Sequence, residues 1–78
     1  MQKIYFIRAE WDDSAQVWVA TSDDVPGLVT EADTIETLSL KLERMVPDLL
    51  EANGCLPDYD VPFEILARKF SVAHLAVN

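Results

Sequence analysis

Between Asp33 and Gly54 the apolar residues Ile35, Leu38, Leu42, Met45, Val46, Leu49 and Leu50 recur at steps of three and four. That spacing draws one stripe along a helix. Asp33 is placed to cap the first turn, with Glu36 three residues on to complete a capping box. Asn53-Gly54 supplies the left-handed residue that ends helices. About 20 residues at ~1.5 Å each make a rod ~30 Å long, and in a chain this short the stripe needs a sheet made from the remainder to cover it. Pro47 falls inside the pattern, where its ring meets the carbonyl of Glu43. Because the stripe resumes at Leu49 and Leu50, the pattern predicts one helix kinked near residues 43–46; a break into two is the competing reading.

The flanking segments alternate with period two. Lys3–Trp11 sets Tyr5, Ile7, Ala9 and Trp11 against Ile4, Phe6, Arg8 and Glu10, and Gln16–Ser22 repeats the pattern with β-branched and aromatic residues. Asp12-Asp13-Ser14-Ala15 between them carries turn-forming side chains, so the two strands form a hairpin. Pairing Trp11 with Val17, Ala9 with Val19 and Ile7 with Thr21 keeps one face apolar throughout. This register turns Ile4, Phe6, Arg8, Glu10, Trp18, Ala20 and Ser22 to the other face, which is too apolar for an ordinary solvated surface. Pro26-Gly27 predicts a type II turn, after which Leu28-Val29-Thr30 forms a short third strand. Cys55–Asp60, with Pro57, reads as a loop. Val61–Asn78 fits a strand and a helix about equally well. Compactness favours a strand over Phe63–Phe70, returning parallel to the first through a right-handed crossover. A strand running on to Val77 would be about 15 residues, ~50 Å, too long to pair within one chain. Residues 71–78 are thus left open between strand, helix and disorder, and an intersubunit arm, hence a homodimer, is the expectation.

Length and charge narrow the function. Seventy-eight residues make a single domain, residues 1–78. Such a small domain buries only ~60% of its unfolded surface, which again favours a partner. Its one cysteine, Cys55, excludes an intrachain disulfide and reads as a free thiol in a loop. With His74 as the sole histidine, no transition-metal constellation is proposed. The run Ile4–Ile7 is too short for a signal peptide or a membrane span, so a soluble, cytoplasmic protein is expected. Fourteen acids against six bases give a net charge of −8. Such a charge opposes binding to phosphate backbones and suits a basic protein partner; solubility alone is the plain alternative.

The segment AEWDDSAQVWVATSDDVPGLVTEADTIETL resembles the HicB-like antitoxin family, in particular its short members of uncharacterised function. The resemblance is carried by Trp18 on the second strand, Pro26-Gly27, the run Val29–Thr34 and Glu36, and it covers about residues 3–54. It implies an α+β fold of order β-β-β-α-β, a partial RNase H-like two-layer unit with one long helix, in agreement with the elements read above. It also implies a protein that binds and neutralises a small basic RNA-cleaving toxin of the HicA type. Longer members carry a C-terminal DNA-binding segment; this sequence ends at Asn78, so operator binding and autorepression are not carried over.

An RNase H-like topology invites a nuclease reading, with Asp12, Asp13, Asp23 and Asp24 as metal-binding carboxylates. These residues fall in turns, however, where aspartate is favoured for local hydrogen bonds. Ser14, Ser22, Ser39 and Ser71 have no base other than His74, and Gly27 and Gly54 have turn and cap roles. The expectation is therefore no enzyme, no cofactor and no metal. Phe6 and Trp18, large aromatics on the face left free, are the candidate partner contacts, with Asp23 and Asp24 as steering charges. The alternative function is a homo-oligomeric binding or scaffold module without a toxin.

Overall fold

A computed structural model of the chain describes residues 3–55 and 60–76. Pro57 of the expected loop and Val77 of the expected arm lie outside this range. Strand β1 spans Tyr5–Asp12, β2 Val17–Thr21 and β3 Val29–Ala32; helix α1 spans Ile35–Ala52, and β4 Phe63–Arg68. The four strands form one sheet in the order β3-β2-β1-β4, with β4 parallel to β1 and the other pairs antiparallel. This is the α+β, β-β-β-α-β architecture expected from the sequence.

The stripe of α1 does what its spacing requires: Leu38, Leu42, Val46 and Leu50 are buried in one core with Ile7, Ala9, Ala20, Val25, Leu28 and Ala32. The helix is continuous through Pro47. Its cap, however, is Thr34 and not Asp33: the Thr34 hydroxyl accepts from the Thr37 N–H at 3.0 Å, which leaves Asp33 one residue outside the helix and its box with Glu36 unmade. At the other end the Gly54 N–H donates to the Glu51 carbonyl and the Cys55 N–H to that of Leu50, a Schellman closure made possible by Gly54 at φ +82.

The hairpin register differs from the expected one by a residue. Trp11 pairs with Trp18, Ala9 with Ala20 and Glu10 with Val19. The loop sets this. The Asp12 carboxylate accepts from the Ser14 and Ala15 N–H groups at 3.0 and 3.1 Å, and the Gln16 N–H donates to the Asp12 carbonyl at 2.7 Å with Gln16 at φ 58. The loop therefore closes on the pair Asp12–Val17, and every side chain of β2 changes face. Ala20 and Trp18 look toward the helix, and Val17, Val19 and Thr21 away from it. The other segments shift less. The turn Val25–Leu28 closes as expected, with Leu28 N–H donating to the Val25 carbonyl at 3.1 Å and Gly27 at φ +85. Leu28 is buried ahead of β3 instead of opening it, and β4 ends at Arg68 instead of Phe70.

Candidate functional site

The helix covers one side of the sheet, and the other side is bare. Along β1 this bare side presents Phe6, Arg8 and Glu10; across the parallel pairing β4 sets Glu64 beside Phe6, Leu66 beside Arg8 and Arg68 beside Glu10. Val19 and Thr21 continue it on β2, and Val29 on β3. Ile4, Phe6, Val29 and Leu66 are each about half exposed or more. Phe6, Arg8, Leu66, Arg68, Asp23 and Asp24 line a cleft of about 440 Å³ at the start of β1.

The two aspartates reach this cleft because β2 stops short of the beginning of β1. Where the ladder lacks a strand, side chains replace it. The Asp24 carboxylate accepts from the Phe6 N–H at 2.9 Å, and the Ser22 hydroxyl donates to the Phe6 carbonyl at 2.6 Å. Ser22 Oγ in turn accepts from the N–H groups of Asp24 and Val25, which holds the turn in place. Asp23 reaches back over the face to Arg8, Oδ2 to guanidinium at 3.0 Å, with its side chain 94% exposed. Lys3 lies 3.9 Å from Asp24. Opposite charges and apolar carbon thus alternate over a small area, as at the rim of protein interfaces.

Of the four residues singled out from the sequence, Phe6, Asp23 and Asp24 come together and Trp18 does not. Trp18 sits on the helix side, partly buried, edge-to-face with Trp11 at 5.3 Å between ring centroids. Its grouping with Phe6 followed from the register now corrected. Arg8, Leu66 and Arg68 were missed as site residues: Arg8 follows Phe6 by two on the same strand face, whereas Leu66 and Arg68 depended on the ambiguous last segment. Asp12 is engaged within its own turn, and Asp13 accepts from the Trp11 indole N–H at 3.3 Å. Among the described residues no three of histidine, cysteine, aspartate and glutamate are grouped to hold a metal ion, and no helix is long and apolar enough to cross a membrane.

A one-helix, half-covered mixed sheet with an open cleft on its bare side defines a small α+β domain of order β-β-β-α-β. The chain belongs to a family described as a domain of unknown function, DUF1902, whose model matches residues 4–76. It is similar to the crystal structure of a hypothetical protein, TTHA1013, from the extremely thermophilic bacterium Thermus thermophilus. The two share 45% identity over 94% of this chain and 100% of that one, with a TM-score of 0.70. No curated protein matches the chain.

Proposed function

We infer that this protein acts stoichiometrically, in the cytoplasm, by binding another protein on the bare side of its sheet. The partner that fits best is a small basic RNA-cleaving toxin of the type the HicB-like resemblance implies. The observation that carries this reading is the cleft of Phe6, Arg8, Leu66, Arg68, Asp23 and Asp24, an exposed apolar patch with acids and arginines at its rim on a chain of net charge −8. A basic partner is drawn to the chain by its net charge and held at the cleft by apolar contacts and by exchange of ion pairs. The engaged carboxylates Asp12, Asp13, Asp23 and Asp24 support a role without turnover.

The test is a search for a short basic reading frame beside this one and, where it is found, co-expression with its product, pull-down and growth rescue; absence of such a frame counts against the toxin. Complex formation that Phe6→Ala together with Asp23→Ala weakens at least tenfold is the expected result. A complex that neither forms nor restores growth removes the toxin. An alternative reading, self-association as the whole of the function, is favoured by the exposed apolar segment that follows β4.

A further inference from the structure

Lys69 still lies over the Trp11 ring, 4.9 Å from its centroid, and beyond it the chain leaves the body of the domain. Residues 69–76 carry no regular secondary structure and are exposed throughout. Phe70 is 90%, Val72 65% and Leu75 88% exposed. The molecule measures 62 Å along its long axis, with a radius of gyration of 15.6 Å, against about 11–12 Å for a compact chain of this length. It exposes 5903 Å², where a folded monomer of this mass exposes about 4,800 Å². The excess of about 1,100 Å² is of the size that one partner hides in a standard interface, about 800 Å².

The sheet has two edges. β3 is only four residues long, and Lys41 already donates to its Glu31 carbonyl at 2.6 Å. β4 has six residues and no strand beyond it among the described residues. Thus one chain carries both an open edge and, immediately after it, an apolar segment long enough to cover that edge. The area selects the occupant: the surplus exposed surface is what one partner hides in a standard interface, and edge and arm lie on the same chain, so a second copy supplies both halves of the match.

We propose that residues 69–76 form a strand along the β4 edge of a second copy, which returns its own arm in exchange, giving a two-fold dimer with one sheet running through both molecules. Symmetry restricts the register. A two-fold axis normal to the sheet keeps both helices on one side, and since paired residues share a face, it must pass through a residue facing its own copy. Lys69 on the axis would set two like charges opposite each other, which is unfavourable; Phe70 sets two aromatic rings there, which is favourable. With Phe70 on the axis, Ile65 faces the partner copy's Leu75 and Ala67 its Ala73 on the helix side. Arg68 then faces Val72 and Leu66 faces His74 on the bare side. The pairing satisfies backbone groups along both segments. It sets Val72 and His74 of the second copy beside Arg68 and Leu66 at the β4 rim of the Phe6–Asp24 cleft, and it holds whether or not that cleft binds a toxin.

The test uses the purified full chain alone. Sedimentation velocity at micromolar concentration is expected to show twice the chain mass, and Phe70→Asp or Val72→Pro to reduce it to the monomer with the helical circular dichroism unchanged. In a Cys55→Ser background, Phe70→Cys should oxidise to a covalent dimer, far faster than Lys69→Cys or Ser71→Cys. A monomeric full chain overturns the proposal, as does a dimer that survives both arm substitutions. Fastest oxidation at position 69 or 71 overturns the register.

Discussion

Ser22 and Asp24 show how much of a sheet two side chains can replace. Together they supply an acceptor and a donor to Phe6, one residue into the strand at the centre of the sheet. Asp23, the neighbouring acid, spends its charge on Arg8 in open solvent. The two therefore differ in worth. Asp24→Ala is expected to cost about 1–2 kcal/mol, as for a charge-assisted hydrogen bond, and Asp23→Ala about 0.5 kcal/mol or less, both read from urea midpoints at constant m-value. Equal losses would mean that the Phe6 N–H finds another acceptor. The sequence marked both acids as turn residues but gave no means of ranking them, because which one meets Phe6 depends on where β2 ends.

At the scale of elements, the helix was legible from its stripe, and its boundary was not. Asp33 and Thr34 are both good caps with an apolar residue close behind, and a one-residue choice between them lies below the resolution of periodicity. Thr34→Ala is expected to lower stability by about 1 kcal/mol while Asp33→Ala leaves the urea midpoint nearly unchanged; the reverse order would restore the original cap. The hairpin register failed for a related reason. Both faces of β2 are apolar, Val17 and Val19 on one and Trp18 and Ala20 on the other, so hydrophobic alternation could not choose between them. The small residues Ala9, Ala20 and Ala32 turned out to form the floor under the helix, and the bulkier valines the bare side. Leu42, fully buried above that floor, should cost about 2–5 kcal/mol when replaced by alanine, as denaturant unfolding would show.

For the whole molecule, the order of elements and the parallel return of β4 followed from size: one domain, one stripe and one sheet to cover it. The cleft was half legible. Phe6, Asp23 and Asp24 were found because they lie in segments of clear pattern, while Leu66 and Arg68 lie in one that fits helix and strand alike. If the arms are exchanged, stability belongs to the pair, and the thermal midpoint of the full chain should rise with protein concentration, as in any coupled assembly. A midpoint independent of concentration would show a self-sufficient monomer. The sheet order has one more consequence. Strand β1 lies between two neighbours, one supplied almost at once by the hairpin and the other only after the whole of α1. A ribosome must therefore translate through the helix and on to Arg68 before β1 is enclosed on both flanks, and until then that strand waits with half its partners still unmade.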